Sequence, residues 1–436
     1  MSKPDTIFAL SSGPLPAGVA VIRLSGPAVP AVLTQIAGKL PPPRVATLAR
    51  LTGAEGESLD TALILHFPCP NSFTGEDVAE LQLHGGRATV AAVLNDLAAR
   101  PGLRPAEAGE FTRRAFLNDR LDLTEVEALS DLLAAETEAQ RRFALANSNG
   151  ALRGLYEDWR RRLIRARAMV EADLDFSEEE DVGLAADGAV WAEVDALTRE
   201  MTEHMAGFRR SEIIRAGFNV VVMGPPNAGK SSLINALARR EAAIVSDEAG
   251  TTRDLIDVFL DLDGLKARVT DTAGLRSGAG KVEQIGIDRA RERAAGADLV
   301  LNLSEDCSWS DPGAEGVPQL RVMTKADLAG RFGGGADIEI STATGQGLNE
   351  LTEEIRRRAA AAAGEVSDVL PFRNRHMHLL AQAQAELRSA LAQRGQAEEL
   401  GAEALRRASD QIGRISGRVD VEDLLDVIFS EFCIGK

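Results

Sequence analysis

The stretch from residue 224 to residue 231, GPPNAGKS, constrains the fold of this chain more than any other. It fits the pattern G-x-x-x-x-G-K-[ST] of a phosphate-binding P-loop. The apolar run before it, residues 218–223, predicts a buried strand. The residues from Ser231 onward predict a helix with one apolar face. Both the sequence motif and the predicted strand and helix on either side of it therefore match a P-loop.

A loop between such a strand and helix surrounds phosphate oxygens with backbone N–H groups and a helix N-terminus. We expect Lys230 to reach the β- and γ-phosphates of a nucleotide and Ser231 to hold Mg²⁺. The alternative is a glycine-containing turn that binds no ligand.

The composition is that of an ordinary globular protein, with 44% hydrophobic and 26% charged residues. A length of 436 residues suggests two or three domains. We find no apolar run near the roughly 20 residues of a membrane span, and no signal-peptide pattern. The positions of Cys69, Cys307 and Cys433 match neither a metal site nor a disulfide framework. We therefore expect a cytoplasmic protein with no membrane contact.

The net charge of −17 counts against a protein that grips nucleic acid unaided, because neutralising phosphates requires clustered Lys and Arg. Two arginine-rich runs on predicted helices, residues 160–167 and 356–358, are local exceptions. Such runs are more often solvent-facing helix surfaces than binding sites.

The pattern of apolar residues divides the chain into four segments. Residues 1–118 predict an α/β or α+β domain, residues 119–213 are helical, residues 214–370 alternate strand and helix around the P-loop, and residues 371–436 are helical again. The fold class is therefore α/β and multi-domain. The economical interpretation is a nucleotide-binding domain inserted into one discontinuous helical domain, and the rival is two separate small helical domains.

Periodicity also predicts individual elements. In the first segment we expect strands at 7–10, 19–24, 63–67 and 78–83 and helices at 28–36 and 89–99. Thr124 is a candidate helix cap, with Glu127 three residues on. Further helices are predicted at 151–174, 190–214, 374–393, 398–412 and 420–429.

Two motifs after the P-loop match the switch regions of GTPases. The sequence GTTRD at 250–254 places threonines where Ras-like GTPases contact Mg²⁺ and the γ-phosphate. The sequence DTAG at 271–274 follows an apolar strand, so Asp271 is expected in the outer shell of the metal and the Gly274 N–H at the γ-phosphate.

A third motif predicts recognition of guanine. The strand at 320–323 ends in Thr324-Lys325-Ala326-Asp327, which resembles the N-K-x-D motif of GTPases. The Asp327 carboxylate can accept the N1–H and N2–H protons of guanine, and adenine offers neither. Ser341 and Thr342 lie where GTPases carry S-A-K, although the lysine is absent. We therefore expect weaker nucleotide binding than in high-affinity switches.

The residue after Gly274 is Leu275, where Ras-like enzymes carry a glutamine that positions water. Leucine can neither orient water nor stabilise charge, so hydrolysis needs help from elsewhere. The candidates are an arginine in trans, a monovalent cation, or a carboxylate such as Glu283. On the sequence alone, Glu283 is more often a solvated helix residue.

These motifs resemble those of the MnmE (TrmE) family of tRNA-modification GTPases over essentially the whole chain. Outside the nucleotide-binding segment the resemblance rests on FTGED at 73–77, LHGG at 83–86, EFTRRAF at 110–116 and the terminal CIGK at 433–436. It implies a folate-binding N-terminal domain, a discontinuous helical domain and an inserted Ras-like P-loop GTPase domain.

The resemblance further implies a homodimer joined through the N-terminal domains, whose GTPase domains associate when GTP and K⁺ bind. The K⁺ ligands would be Asn227, Ser246, Glu248 and Thr251, and Mg²⁺ would be held by Ser231 and Thr252. Catalytic roles fall to Glu283, which would orient the water indirectly, and to Lys230 and Thr252.

Together, the motifs and the resemblance define one candidate nucleotide-binding set. It consists of Asn227, Ala228, Gly229, Lys230, Ser231, Ser232, Ser246, Gly250, Thr251, Thr252, Asp271, Thr272, Ala273, Gly274, Thr324, Lys325, Asp327, Ser341 and Thr342.

The resemblance implies a reaction as well. With the FAD-bound flavoprotein MnmG, in a heterotetramer-type complex, such proteins add an aminomethyl or carboxymethylaminomethyl group to C5 of the wobble uridine of certain tRNAs. The one-carbon unit comes from 5,10-methylene- or 5-formyl-tetrahydrofolate, and the partner holds most of the tRNA. Folate would contact Arg23, Glu80, Arg120 and Lys436, with Cys433 nearby.

A second hypothesis is a GTPase switch in ribosome or RNA assembly, since other P-loop proteins also carry the GTTRD motif. Such switches lack the residue 74–77 and Cys433 motifs and would not bind 5-formyl-tetrahydrofolate.

Overall fold

The computed structural model describes residues 5–175, 184–240, 257–271, 291–309, 311, 313–328, 335–419, 425, 428, 429, 432 and 435. The chain divides into two compact units. Unit 1 comprises residues 1–130, 153–190 and 389–436, and unit 2 comprises residues 131–152 and 191–388.

The N-terminal part of unit 1 is a sheet covered by helices. The described strands are β1 Thr6–Leu10, β2 Ala17–Ser25, β3 Thr47–Thr52, β4 Ser58–Phe67, β5 Val78–Gly85 and β6 Leu103–Pro105. They lie in the order β3-β4-β5-β2-β1-β6. All neighbours are antiparallel except β1 and β6. The helices are α1 Val29–Ala37, α2 Arg87–Ala99 and α3 Glu110–Leu117.

The alternation of side chains along these strands builds the core. Ala20, Ile22 and Leu24 of β2 are fully buried, while Val19 is exposed. Helix α1 packs Leu33 and neighbouring apolar residues against that buried face. The strands and helices predicted in this segment are confirmed, and β3 and β6 are additional strands that the periodicity did not indicate.

Helices follow along the chain. They are α4 Leu123–Ala134, α5 Glu138–Asn147, α6 Ala151–Asp175, α7 Leu184–Ala206 and α8 Phe208–Ala216. The prediction of one helix over 190–214 is wrong, because α7 ends before Gly207 and α8 begins after it. Glycine is a poor helix former, and a Cβ at Gly207 would lie 2.4 Å from Cδ2 of Leu370.

The predicted cap of α4 is also wrong. Asp122, rather than Thr124, caps the helix: its Oδ1 accepts from the Glu125 N–H at 2.8 Å, and Glu125 Oε2 accepts from the Asp122 N–H at 2.8 Å. This is a capping box two residues earlier than predicted. Thr124 is fully buried and donates its hydroxyl hydrogen to Asp122 Oδ1.

Unit 2 contains a second sheet, whose described strands are β7 Phe218–Met223, β8 Asp257–Leu262, β9 Leu265–Asp271, β10 Leu299–Ser304, β11 Gln319–Met323 and β12 Ile338–Glu339. Their order is β12-β11-β10-β7-β9-β8. All neighbours are parallel except β8 and β9. Every residue of β10 is buried, as expected for an inner strand covered on both faces.

Helix α9 Lys230–Arg240 follows the P-loop, and α10 Leu348–Ala363, α11 Asn374–Gln393 and α12 Glu398–Ser416 follow later in the chain. The helix predicted at 374–393 is confirmed, and the one predicted at 398–412 extends four residues further. Of the helix predicted at 420–429, only residues 425, 428 and 429 are described, and these are helical. Among the described residues, no helix has both the length and the apolar character needed to cross a membrane.

The position of Asp122 predicts an unusual pH dependence of stability. Burial raises the pKa of its carboxyl to about 6, above the ordinary value of 3.8. The folded state therefore holds a proton that the unfolded chain has lost between these pH values, so stability falls as pH rises through this window. We expect Asp122→Asn, which keeps a capping oxygen, to be more stable than the wild type at pH 7.5 by up to about 3 kcal/mol.

The measurement is the difference in thermal unfolding midpoint between variant and wild type from pH 4 to pH 8. The difference should shrink towards pH 4, where the wild-type carboxyl is protonated. A difference that does not change with pH would show that ionisation of Asp122 costs the folded state little free energy.

Candidate functional site

The parallel strands of the second sheet bring the predicted nucleotide motifs to one edge. Val222 of β7 is in register with Asp271 of β9, and Asn302 of β10 with Met223 of β7. The last residue of β10, Ser304, is in register with Met323 of β11. The loops that follow β7, β10 and β11 therefore begin at the same carboxyl edge, which is where open α/β sheets bind ligands.

The P-loop has a backbone that only certain residues adopt. Gly224 has φ 144° and Asn227 has φ 64°, values that favour glycine and are tolerated by asparagine. A Cβ at Gly224 would lie 2.3 Å from the Leu303 carbonyl oxygen. The first glycine of the motif is therefore required by the close approach of β10.

Lys230 is held against this loop. Its Nζ donates to the carbonyl oxygens of Gly224 and Pro225, at 2.8 Å each, and the residue is only 7% exposed. The loop thus keeps a positive charge within reach of any phosphate that binds there. Because the Lys230 side chain is already ordered, phosphate binding costs little further conformational entropy.

Ser231 and Asp271 are brought together as the sequence predicts. The Ser231 hydroxyl donates to Asp271 Oδ2 at 2.9 Å, and Asp271 is 2% exposed. Hard oxygen ligands of this kind suit Mg²⁺, which is usually bound by few protein groups together with phosphate oxygens and water. The residues present therefore fit an Mg²⁺–nucleotide complex.

The loop after β11 is fixed by backbone hydrogen bonds to its neighbours. The Thr324 N–H donates to the Ser304 carbonyl at 2.8 Å, and the Ala326 N–H donates to the Ile340 carbonyl at 3.0 Å. An ideal Cβ at Gly229 would lie 3.9 Å from the Thr324 Cβ. The loop predicted to read the base therefore lies directly beside the P-loop.

The surroundings of Asp327 favour its ionised form, which accepts hydrogen bonds. A hydrogen bond from the Ser341 hydroxyl, with one from its own backbone N–H, lowers the pKa of its carboxyl below the ordinary value. Ser341 is fully buried, so this support is fixed in place. Thr342 follows it in an exposed turn. An ionised carboxylate at this position can accept two N–H donors from guanine.

Sequence reasoning missed Glu305, which pairs with the Lys325 ammonium. This ion pair anchors the side chain of Lys325, which lies between Thr324 and Ala326 and has a positive φ of 58°. The signal that could have found it is its place after the run 299–303, which is apolar except for Asn302. Residues that follow inner parallel strands meet at the ligand-binding edge.

A second cluster lies in unit 1 on β2 and β5. Arg23 donates from Nε and Nη2 to Glu80 Oε1, at 3.1 Å and 2.9 Å, and its guanidinium lies 5.9 Å from the ring centroids of both Phe73 and Phe111. Arg120 is exposed, and its Cγ would lie 3.2 Å from a Cβ placed at Gly75. The structure therefore brings Arg23 and Glu80 together and places Arg120 beside the 73–77 loop.

The chain terminus reaches the same sheet. The Ser11 hydroxyl donates to the Gly435 carbonyl at 2.8 Å, and a Cβ at Gly435 would lie 2.3 Å from the Leu10 carbonyl oxygen. Leu10 is in register with Ile22, the neighbour of Arg23. The glycine of the terminal motif is required by this close approach.

Several polar residues of the N-terminal motifs hold the domain together. Ser25 hydrogen-bonds to Thr74 and Glu76 at 2.7 Å each, and Arg114 Nη1 pairs with Glu76 Oε2 at 3.1 Å. Arg114 also pairs with Glu110 at 3.0 Å. Since Arg114 is mostly buried, these contacts fix the 73–77 loop against α3.

Part of the predicted site lies outside the described residues. This part comprises Ser246, Glu248, Gly250, Thr251, Thr252, Thr272, Ala273, Gly274, Leu275, Glu283, Cys433 and Lys436. The roles assigned to these residues stay predictions.

A P-loop lysine, a serine–aspartate pair and an aspartate at the position of the GTPase base motif lie on one parallel sheet edge. This arrangement is typical of a P-loop nucleotide-binding protein of the GTPase class. Two family models match the chain: the GTP-binding protein TrmE N-terminus over residues 6–120 and the MnmE helical domain over residues 123–433. The chain belongs to the MnmE family of tRNA modification GTPases. This membership confirms the expected enzyme class, a GTP hydrolase.

Curated relatives agree with the family models. The tRNA modification GTPase MnmE of Mesorhizobium japonicum is 55% identical over 450 residues, covering 100% of both chains. The protein of the same name from a Chelativorans species is 56% identical over 434 residues, covering 99% of this chain and 98% of the relative.

Two solved structures show weak resemblance to this chain. The G domain of the T. maritima iron transporter FeoB is 24% identical, covers 33% of this chain and 98% of that chain, and gives a TM-score of 0.25. A variant of Aquifex aeolicus Era bound to GDP and AlF4⁻ is 20% identical, covers 38% and 66%, and gives a TM-score of 0.26.

Proposed function

We propose that this chain hydrolyses GTP, with K⁺ stimulation, and uses the hydrolysis to drive modification of C5 of the wobble uridine in tRNA. The observation that carries the proposal is the meeting of Lys230, the Ser231–Asp271 pair and Asp327 at one edge of the second sheet. Lys230 binds the phosphates, Ser231 binds the metal, and Asp327 selects guanine. Mg²⁺ supplies the charge neutralisation that phosphoryl transfer requires.

The K⁺ part of the proposal rests on Asn227. Its φ of 64° places it at the exposed turn of the P-loop, where its side-chain oxygen is available as a ligand. A cation there would lie beside the phosphates, so it would stabilise negative charge that develops in the transition state. Ser246, Glu248 and Thr251 are the further ligands that we propose.

We expect GTP turnover to be faster in KCl than in NaCl at equal ionic strength, and Asn227→Gly to remove most of this difference. Glycine tolerates the positive φ, so this variant deletes the carboxamide without straining the loop. Its turnover in NaCl should fall by a smaller factor than its turnover in KCl. Equal wild-type rates in the two salts would contradict the role of the cation.

We further propose that the N-terminal domain binds a tetrahydrofolate between Arg23, Glu80, Arg120 and Lys436. The support is the chemistry of the β2–β5 cluster. A guanidinium can bind the carboxylates of a glutamate tail, a carboxylate can accept the N–H donors of a pterin, and the exposed ring of Phe73 offers aromatic surface. Gly435 lies against the same sheet, and Cys433 and Lys436 are close to it in sequence.

The proposal also includes the partner proteins with which this chain would assemble. We propose a cytoplasmic homodimer that works with an FAD-bound flavoprotein of the MnmG type. That partner would hold most of the tRNA. The net charge of −17 supports this division, because a strongly acidic chain is poorly suited to neutralise many phosphates itself.

The test is mass analysis of wobble uridines in tRNA from a strain that lacks this protein. We expect the C5 modification to disappear and to return when the wild-type chain is restored. A titration with 5-formyl-tetrahydrofolate separates this function from a GTPase switch in RNA assembly. Intact wobble modification together with no folate binding would favour the switch.

A further inference from the structure

The LHGG motif at 83–86 belongs to neither cluster described above, and its histidine lies on an accessible surface of unit 1. Along β5 the side chains alternate between two faces of the sheet. Leu81 and Leu83 are buried in the core, whereas the side chain of His84 is 75% exposed. Its neighbour on β2 is Val19, which is 56% exposed. The His84 ring is therefore accessible to a ligand.

Asp60 of β4 fixes the orientation of this imidazole. Its Oδ1 lies 2.8 Å from Nδ1 of His84, and its Oδ2 accepts the backbone N–H of His84 at 2.9 Å. The Thr61 N–H also donates to Oδ1, at 2.8 Å. The side chain of Asp60 is only 10% exposed. Although burial raises the pKa of its carboxyl, the hydrogen bonds from His84 and Thr61 bring the pKa below the ordinary value, so Asp60 is ionised.

An ionised carboxylate beside Nδ1 determines the tautomer of His84. The proton lies on Nδ1, where it is donated to Asp60, and Nε2 carries the lone pair. Within the part of the chain that the structure describes, no group hydrogen-bonds to this Nε2. The His84–Asp60 pair therefore presents a proton acceptor to a ligand. When Nε2 takes up a proton, the carboxylate stabilises the imidazolium that forms.

This acceptor lies on the same face of the sheet as the proposed folate site. Glu80, Gln82 and His84 are at alternate positions of β5, so their side chains project from one face. A rise of about 3.3 Å per residue separates Glu80 from His84 by roughly 13 Å along the strand. The two residues therefore lie at opposite ends of one polar strip.

The chain terminus contacts the sheet between these two ends. Gln82 is in register with Val21 of β2, and the Val21 carbonyl accepts from the Ser11 N–H at 2.8 Å. The Ser11 hydroxyl donates to the Gly435 carbonyl, also at 2.8 Å. Gly435 therefore lies at the level of Gln82, which is two residues from His84 on the strand.

The other charged groups on the elements next to this pair are engaged elsewhere. Arg50 of β3 donates from Nε to the Ser58 hydroxyl at 2.9 Å. Arg87 of α2 donates to the Leu15 carbonyl at 3.2 Å and 3.3 Å. Among the described residues, Asp60 is the charged group that contacts the imidazole. A pH dependence that arises here therefore belongs to this pair and to its substrate.

We propose that His84 is the general base for the amine that combines with the one-carbon unit of folate, an inference that rests on the proposed function. An aminomethyl group requires such an amine. At neutral pH an amine is mostly an ammonium ion, which has no lone pair for attack on carbon. Nε2 of His84 removes one proton from the ammonium ion and releases it later to water.

The freed lone pair then forms a bond to the methylene carbon of 5,10-methylene-tetrahydrofolate. The bond between this carbon and N10 breaks, and its electron pair stays on N10. A second proton passes from the newly bonded nitrogen to N10, so both nitrogens end neutral. His84 thus contacts the amine, whereas Arg23 and Glu80 contact the folate.

The test measures formation of C5-modified wobble uridine by mass spectrometry. It uses the full-length protein, the flavoprotein partner, tRNA from a strain that lacks this protein, GTP, KCl, 5,10-methylene-tetrahydrofolate and limiting ammonium chloride. We expect His84→Gln to lower the rate at pH 7.5 about 100-fold, the lower end of what a general base contributes. The loss should shrink at pH 9, because solvent then deprotonates a larger share of the amine. GTP turnover and affinity for 5-formyl-tetrahydrofolate should match the wild type.

Two further variants complete the design. Asp60→Asn removes the charge that stabilises the imidazolium, so it should also lower the rate, again more at pH 7.5 than at pH 9. The matched control is His378→Gln, because His378 is an exposed histidine of unit 2 whose ring contacts Gln382. It should keep the wild-type rate.

Two results would overturn the proposal while leaving the proposed function intact. One is a wild-type rate in His84→Gln, and the other is a loss of equal size at pH 7.5 and pH 9, which a binding or structural role would produce. A wild-type protein that forms no C5-modified uridine would instead contradict the proposed function, and the role of His84 with it.

Discussion

Replacement of Lys230 by alanine should reduce GTP turnover at least about 100-fold, the loss typical when one preorganised charge-stabilising donor is removed. The structure explains the size of this effect. Two loop carbonyls hold the Lys230 Nζ at 2.8 Å before any nucleotide arrives, so its charge needs no reorganisation during the reaction. The measurement is steady-state phosphate release with saturating Mg²⁺ and KCl.

Lys266→Ala is the matched control for this prediction. Lys266 is in the same unit, pairs with Glu136 and lies 4.3 Å from the Phe259 ring centroid. Its loss removes one positive charge from the GTPase region but no group from the P-loop. Turnover should therefore stay within about twofold of the wild type, with any effect appearing in stability. A similar fall in both variants would show that net charge, rather than the loop lysine, governs the rate.

The sequence was sufficient for features that depend on local patterns. The P-loop letters and the apolar run before them predict the turn and its strand, because both follow from spacing along the chain. The strands of the N-terminal sheet follow from alternation in the same way. The need for glycine at position 207, where one predicted helix is in fact two, depends on Leu370, which is distant in sequence and fills the space that a side chain would need.

The same distinction applies to the candidate sites. Asp327 is recognisable from its motif, but its support by buried Ser341 depends on the return of the chain beside β11. In the N-terminal domain, the polar residues of the 73–77 motif are compatible with a binding loop or with plain turn structure. Their contacts with Ser25 and Arg114 show that some of them are buried supports of the loop itself. Composition does not separate these two roles, since both require buried hydrogen-bonding groups.

The second large effect is expected at Asp327. Asparagine in its place loses the negative charge and turns one of the two acceptor oxygens into a donor, so the N1–H and N2–H donors of guanine cannot both be accepted. Each hydrogen bond to a charged group contributes about 1.5–3 kcal/mol. We therefore expect GDP to bind at least about 100-fold more weakly to Asp327→Asn, measured by titration calorimetry or with a fluorescent analogue.

The same substitution should improve binding of xanthosine diphosphate, because xanthine carries an acceptor carbonyl where guanine carries the N2 amino group. The asparagine amide can donate to that carbonyl, whereas the wild-type carboxylate is repelled by it. Glu339→Gln is the control, since this exposed residue of β12 belongs to the same sheet but not to the base loop. It should leave the preference for guanine unchanged. Loss of affinity for both diphosphates in Asp327→Asn would instead indicate that Asp327 holds the loop in place, because a base-reading carboxylate must change the preference between bases.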